Sequence, residues 1–140
     1  MEPKILSSGV VVVNRKGRDW RYLLLRSYRY WDFPKGMVEA GEHPLDAACR
    51  EVREETTLTG LDFRWGHDYR ETEPYSRGKV ARYYVAESAG NSVSLPVNPA
   101  LGRPEHHEFR WLSYEAARRL VAPRLVPILD WAHSLIRDSS

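Results

Sequence analysis

The stretch GMVEAGEHPLDAACREVREETTL, residues 36–58, decides how this chain is interpreted. Three of its glutamates, Glu51, Glu54 and Glu55, fall at helical spacing. Residues three and four apart share one face of a helix, so Glu51 would lie beside both of the others. Like charges at that spacing destabilise an isolated helix by roughly 0.2–0.5 kcal/mol per pair. Arg50, one turn before Glu54, can offset part of this repulsion. The alternatives for the remaining charge are a solvated charged face or a bound cation.

The opposite face of the same predicted helix is apolar. Pro44 suits the first turn, and Leu45, Ala48 and Val52 recur at i, i+3 and i+7. This spacing predicts that one face packs against the core while the other carries the carboxylates.

The rest of the chain predicts several strands and two late helices. Runs of β-branched and aromatic residues predict strands at residues 5–13, 20–25, 61–70, 79–87 and 109–112. The first two form a hairpin with a turn at residues 14–17, and residues 88–104 form a long connection. Ser113 caps a helix that runs through Leu120, and Pro123 separates it from a last amphipathic helix. This order predicts an α+β fold, an α/β/α sandwich with a central mixed β-sheet.

Composition limits the class of protein. The chain has 140 residues, 42% hydrophobic and 29% charged, which predicts a single globular domain over residues 1–140. It has no apolar run that could cross a bilayer, and its start, MEPKILSSG, lacks the features of a signal peptide. We therefore expect a cytoplasmic protein with no membrane partner. The net charge of +2 without a Lys/Arg block argues against a DNA partner, and we expect a monomer or homodimer.

The acidic face offers hard oxygen ligands of the kind that Mg²⁺ prefers. A divalent ion would turn the repulsion among Glu51, Glu54 and Glu55 into attraction. The cluster is therefore a candidate metal site.

The same residues resemble the signature of the Nudix hydrolases, G-x5-E-x7-R-E-U-x-E-E-x-G-U, where U is an aliphatic residue. The matching positions are Gly36, Glu42, Arg50, Glu51, Val52, Glu54, Glu55 and Leu58. Thr57 departs from the pattern, because the family usually has a glycine there that ends the helix in a left-handed conformation. A β-branched residue disfavours that conformation, so we expect the helix to run on toward Gly60.

The resemblance implies hydrolysis of a nucleoside diphosphate linked to another moiety, with two or three Mg²⁺ or Mn²⁺ ions as cofactor. It implies that Glu51, Glu54, Glu55 and the carbonyl of Gly36 bind metal. It also implies that Arg50 orients the glutamates and that Glu42 holds the preceding loop to the helix.

The flanking sequence is similar to the asymmetrical bis(5'-nucleosyl)-tetraphosphatases, which split diadenosine tetraphosphate into ATP and AMP. The run WDFPKGMVEAGE, Lys79 before Tyr83-Tyr84, and Glu105-His106 before residues 109–112 carry this likeness. It implies water attack on a phosphorus of a nucleoside polyphosphate. Lys35 and Lys79 are suited to phosphate, and Tyr28, Tyr75 and Tyr83 are candidates for stacking on bases, with core packing an equal alternative for Tyr83.

Glu105 resembles a distal glutamate that binds metal or helps to deprotonate the water. His106, His107 and Glu108 are alternatives for the second role. Three other functions stay open: hydrolysis of dihydroneopterin triphosphate, removal of pyrophosphate from RNA 5' ends, and nucleotide sensing by a non-catalytic Nudix domain. A sensor would be expected to have lost some of the glutamates.

Overall fold

The computed structural model describes residues 5–138, which form a mixed sheet with helices on both faces. Within that range the strands, β1 to β9 in chain order, are Ile5–Lys16, Asp19–Ser27, Tyr30–Asp32, Lys35–Met37, Arg70–Glu71, Lys79–Glu87, Val97–Asn98, Arg103–Pro104 and Glu108–Leu112. The helices are α1, Pro44–Thr56, α2, Tyr114–Leu120, and α3, Val126–Asp138, with a 3₁₀ turn at Pro123–Leu125. The predicted domain limits, residues 1 and 140, lie outside the described residues.

The long strand β1 organises the sheet. It pairs antiparallel with β2 and β4, and parallel with β6, where Ile5 faces Lys79. The strand order is β3-β2-β1-β6-β5, with β9 added beside β2, while β7 and β8 form a separate small hairpin. The β1–β4 pairing carries Lys35 and Gly36 across the sheet to meet α1.

Alternate residues of the central strands enter two different cores. Val11 on β1 packs in a core with the buried side chains of α2 and α3, and Val10 packs in a core with α1. Neighbouring Tyr83 and Tyr84 divide in the same way, and both are buried. The predicted α/β/α sandwich with a mixed sheet is therefore confirmed.

Two predicted boundaries are wrong. Strands β1 and β2 extend further than expected, so the hairpin turn lies at Gly17 and Arg18 and not at residues 14–17. Residues 61–70 do not form a strand: Asp62 makes one isolated bridge to Glu87, and regular pairing begins only with β5. Gly66, at φ +96°, turns the chain within that segment.

The end of α1 also differs from the expectation. The helix ends at Thr56, and Thr57 itself adopts the left-handed conformation, with φ +67°, while its N–H donates to the carbonyl of Arg53. The prediction that the helix runs on toward Gly60 is therefore wrong. Thr57 takes the backbone shape that glycine usually supplies, at the steric cost that a β-branched residue carries there.

The late helices follow the sequence pattern. Ser113 caps α2 by accepting from the N–H of Ala116, and α2 ends at Leu120 as predicted. No helix within residues 5–138 is both long enough and apolar enough to cross a membrane.

Candidate active site

Arg50 is the centre of a closed charge network at one end of the acidic surface. Its guanidinium donates to both oxygens of Glu42, at 2.8 and 3.0 Å, and to Glu51 at 2.8 Å. It also donates to Glu54 at 3.1 Å and to the carbonyl of Met37 at 3.0 Å. The predicted Arg50–Glu54 pair is confirmed, and it is one of several bonds that offset the repulsion along α1.

The loop before α1 is held by the same network. The hydrogen bonds from Arg50 lower the pKa of Glu42 to about 2, and Oε1 of Glu42 also accepts from the N–H of Glu39. Gly36 lies against the Glu51 carboxylate so closely that a Cβ at this position would overlap it. The glycine at the start of the motif is therefore required by the close approach of β4 to α1.

At the other end of the acidic surface, no described side chain donates a hydrogen bond to the carboxylates, although the charge of Lys35 acts on Glu55. Ligand atoms of Glu55, Glu105 and His106 lie within 4.8 Å of one another. Glu55 is buried, and its carboxylate accepts a hydrogen bond from the backbone N–H of Lys35 at 3.2 Å. Burial, and then the charges of Glu105 and Glu51, raise the pKa of Glu55 well above its usual value.

The donors at this open end fit a divalent cation. A carboxylate that is buried beside two others is costly unless a cation compensates it. Glu55 and Glu105 offer oxygen ligands of the kind that Mg²⁺ and Mn²⁺ accept, and the imidazole of His106 is compatible with Mn²⁺. Of the predicted ligands, Glu55 and Glu105 lie together here, while Glu51 and Glu54 are bonded to Arg50.

A cavity of about 370 Å³ opens over these groups. Glu54, Glu55, Glu105 and His106 line one part of it, and residues 95–99 line the rest. This size lies within the range of small-molecule sites. The long connection of residues 88–104 therefore forms part of the site, with the β7–β8 hairpin at its end.

The four candidates for handling the attacking water lie in the segment after that connection. Glu105 is exposed and faces the cluster, whereas Glu108 is bonded to both Arg26 and Arg110. Burial, followed by the charges of Lys35 and His107, lowers the pKa of His106 to about 4. An imidazole with this pKa is neutral at neutral pH, and the neutral form is the one that binds a metal.

A second charge cluster adjoins Glu55 through Lys35. Oδ2 of Asp32 lies 4.0 Å from Nζ of Lys35 and 3.8 Å from Nη2 of Arg124. Burial lowers the pKa of Lys35, but the charge of Asp32, followed by Tyr75 and Glu55, raises it more, so the net shift is upward. The sequence did not predict a role for Asp32 or Arg124, because only the fold brings the two together. The run WDFPKG was the one available signal, since it places Asp32 near Lys35 in sequence.

The aromatic candidates have different surroundings. Tyr28 is 65% exposed, has a φ of +57°, and packs edge-on against His107. Tyr75 is half-buried, with Arg124 stacked on its ring. Tyr83 is fully buried and its hydroxyl donates to Asp32 at 2.8 Å, so its interpretation as a stacking surface is wrong. The side chain of Lys79 is exposed, and its backbone pairs with Tyr75.

The family model described as the NUDIX domain matches residues 3–132. The chain belongs to the Nudix family. Its fold, its signature residues and the cluster of carboxylates are those of a Nudix hydrolase, and enzymes of this family generally use Mg²⁺ or Mn²⁺.

Similar proteins include RNA pyrophosphohydrolases and asymmetrical bis(5'-nucleosyl)-tetraphosphatases. An RNA pyrophosphohydrolase of Bartonella quintana is 27% identical over 135 residues, covering 81% of this chain and 78% of the relative. The asymmetrical bis(5'-nucleosyl)-tetraphosphatase of Mus musculus is 31% identical over 105 residues, covering 71% of this chain and 68% of the relative. A C. elegans Ap4A hydrolase in a binary complex superposes with a TM-score of 0.78 at 21% identity, covering 96% and 98%, which shows a shared fold.

Proposed function

We propose that this Nudix hydrolase cleaves diadenosine tetraphosphate asymmetrically, giving AMP and ATP. The observation that carries the proposal is that two aromatic side chains are linked to the carboxylate cluster through different neighbours, one through His107 and one through Lys35. Tyr28 stands beside His107, and Tyr75 stands beside Arg124 and the Lys35 cluster. A dinucleoside polyphosphate has a base at each end and a phosphate chain between, which matches this order. The likeness to the mouse enzyme supports the same substrate.

The backbone at Tyr28 adds support. A bulky residue with positive φ is uncommon, and such strain is concentrated at binding sites. Here the strained conformation leaves the ring 65% exposed at the turn between β2 and β3. Stacking of a base on an exposed ring is worth roughly 1–3 kcal/mol.

The chain's own residues would share the chemistry as follows. Glu55 and Glu105, with Glu51, Glu54 and the carbonyl of Gly36, would hold the divalent cations, which supply charge neutralisation at the phosphoryl oxygens and a lower pKa for the attacking water. Arg50 keeps Glu51 and Glu54 in place. Glu105 accepts the proton of the water, and Lys35 offsets the charge of the departing polyphosphate.

The test is hydrolysis of diadenosine tetraphosphate in ¹⁸O-labelled water with Mg²⁺. We expect equimolar AMP and ATP with the label in AMP, because water attacks the phosphorus over the carboxylate cluster. Label in ATP would mean that the substrate binds in the opposite register, and two ADP molecules would exclude asymmetric cleavage.

RNA pyrophosphohydrolase activity is the second candidate, because several relatives with that activity are about as similar to the chain as the mouse enzyme. The same purified protein should be assayed with a 5'-triphosphorylated oligonucleotide. Efficient removal of pyrophosphate from this RNA, with diadenosine tetraphosphate left intact, would replace the proposed substrate and leave the Nudix chemistry unchanged.

Lys79 provides a separate test of chain length. If it contacts the polyphosphate, Lys79→Ala should lower kcat/KM more for long polyphosphates than for short ones, since only a long chain reaches it. Arg77→Ala, a neighbouring exposed cation, is the matched control. Equal losses on long and short substrates would contradict a role for Lys79 in binding phosphate.

A further inference from the structure

Arg124 holds a buried guanidinium nitrogen that has no hydrogen-bond partner. Its Nε is buried and makes no hydrogen bond to any described residue. Its Nη2 approaches Oδ2 of Asp32 only to 3.8 Å, which is an ion pair but not a hydrogen bond. A buried donor left without an acceptor is costly, so its persistence calls for an explanation.

Two other arginines of the chain, which hold structural elements together, have guanidinium groups that are well supplied with hydrogen-bond acceptors. Arg118 donates from two nitrogens to the two oxygens of Asp130, at 3.0 and 3.2 Å. Arg50 places all three of its nitrogens within 3.1 Å of an acceptor. Arg124 makes no such bidentate bond. Its Nε is closed to a ligand, but the side chain as a whole is 34% exposed, so the terminal nitrogens are available to an acceptor that the described residues do not supply.

The position of Arg124 is nevertheless fixed. Its guanidinium lies 4.2 Å from the centre of the Tyr75 ring, and this stacking holds its plane. Asp32 supplies the opposing charge, and its other oxygen is fastened by the Tyr83 hydroxyl at 2.8 Å and by the N–H of Phe33 at 2.6 Å. The Asp32 carboxylate therefore cannot turn toward Arg124 to complete the hydrogen bonds.

Asp32 also faces Lys35, so one carboxylate serves two cations. The distances from Oδ2 are 4.0 Å to Nζ of Lys35 and 3.8 Å to Nη2 of Arg124. The three groups carry a net positive charge. Because the backbone N–H of Lys35 bonds to Glu55, this positive charge begins at the edge of the carboxylate cluster. An anion that extends from that cluster would meet Lys35 first and Arg124 beyond it.

We propose that Arg124 binds an oxygen of a polyphosphate at a phosphate beyond the one that is attacked, and so selects substrates by the length of their phosphate chain. The two terminal nitrogens of the partly exposed guanidinium are coplanar donors, and this geometry matches that of phosphate oxygens. The ligand class is a nucleotide with at least three linked phosphates. This assignment rests on the proposed function for the identity of the nucleosides but not for the phosphate contact itself.

The test measures binding of two simple anions by calorimetry, inorganic tripolyphosphate and orthophosphate, each with Mg²⁺. For Arg124→Gln we expect affinity for tripolyphosphate to fall roughly 10- to 100-fold, the range for losing a charge-assisted hydrogen bond, with orthophosphate binding unchanged. KM for diadenosine tetraphosphate should rise by a similar factor while kcat changes little. Arg137→Gln, at an exposed position near the end of α3, is the matched control.

Arg124→Lys separates binding from a purely structural role. Lysine keeps the charge but lacks the planar donors. The affinity of the Arg124→Lys protein for tripolyphosphate should therefore lie between the affinities of wild type and Arg124→Gln. If Arg124 served only to fasten the 3₁₀ turn, both variants would lose thermal stability and bind the two anions with unchanged relative affinity, which would overturn the assignment. Wild-type protein that binds tripolyphosphate through Arg124 but leaves diadenosine tetraphosphate intact would refute the proposed substrate and uphold Arg124.

Discussion

The two ends of the acidic surface on α1 differ in how their charges are compensated. Around Arg50, the carboxylates of Glu42, Glu51 and Glu54 are bonded to one cation of the chain itself. Around Glu55, the neighbouring groups are Glu105 and His106, and Lys35 contributes one backbone N–H and the charge of its side chain. The closed end holds the loop and helix together without a ligand. At the open end, no described side chain donates a hydrogen bond to Glu55 or Glu105, so their carboxylate oxygens are available to a bound cation.

The largest effect should come from removing the charge at the open end. Glu55→Gln keeps the shape of the side chain, and we expect kcat to fall roughly 100-fold or more, because a divalent ion supplies several kcal/mol of charge stabilisation. Without metal, the variant should melt at a higher temperature than wild type, since a buried charge is removed. Glu115→Gln, on an exposed surface of α2, is the control for activity and melting. Near-normal turnover in Glu55→Gln would rule out this residue as a metal ligand.

Removing the cation of the closed end should cost stability. Arg50→Gln leaves three carboxylates without their donor, and we expect a loss of about 1–3 kcal/mol, less than for a fully buried pair because Glu54 is half-exposed. Urea denaturation with EDTA measures it, and Arg118→Gln serves as a comparison at an exposed ion pair. Added Mg²⁺ should restore part of the lost stability by compensating the same carboxylates. If it restored none, the charges at the two ends would act independently of each other.

The two ends should also respond to pH in opposite directions in the metal-free protein. Glu42 has a folded pKa of about 2 against an ordinary 4.5, so its stabilising contribution is present above pH 4.5 and is lost as pH falls toward 2. Glu55 has a raised folded pKa, so it destabilises the ionised protein, and stability is lost as pH rises through that pKa. Melting curves of Glu42→Gln and Glu55→Gln against wild type from pH 3 to pH 8 test this. Parallel curves for both variants would contradict it.

The smallest effect should come from Thr57, the signature position at which this chain differs from the usual family residue. Thr57→Gly removes a β-branched side chain from a left-handed conformation, and we expect a gain of up to about 1 kcal/mol, reduced by the extra freedom of glycine when unfolded. Activity should not change, because α1 already ends at Thr56. Thermal melting beside a kinetic assay tests both statements. A change in kcat would mean that this turn positions Glu54 or Glu55.

The sequence predicted the parts of the molecule that depend on local rules. The acidic helix, its start at Pro44, the limits of α2 and the strand Lys79–Glu87 follow from periodicity and capping, and the structure has them. Residues 61–70 carry strand-like residues, but the pairing partner within reach, Glu87, accepts only an isolated bridge from Asp62. No local rule predicts such an outcome, because it depends on what the neighbouring strand leaves free.

The site shows the same division. Glu55 and Glu105 could be named as ligands from the motif and its flank, and the structure places them together. Arg124 and Asp32 are far apart in sequence, and nothing in either segment signals the contact between them. The burial of both Tyr83 and Tyr84 follows from a sheet that is covered on both faces, which alternation along one strand does not reveal.

The parallel pairing of β1 with β6 joins two strands that are far apart in sequence, so β1 cannot be fully paired until β6 has been made. Strand β2 and helix α1 leave the ribosome well before β6, which is needed to cover the second edge of β1. Closing a loop from residue 5 to residue 79 is slow compared with forming the hairpin, so the valine-rich centre of β1 waits with an unpaired edge. An exposed apolar edge of this kind favours association between chains. We therefore expect chains to associate during synthesis before β6 is made, a vulnerability that the finished sheet, with this edge of β1 paired to β6, no longer shows.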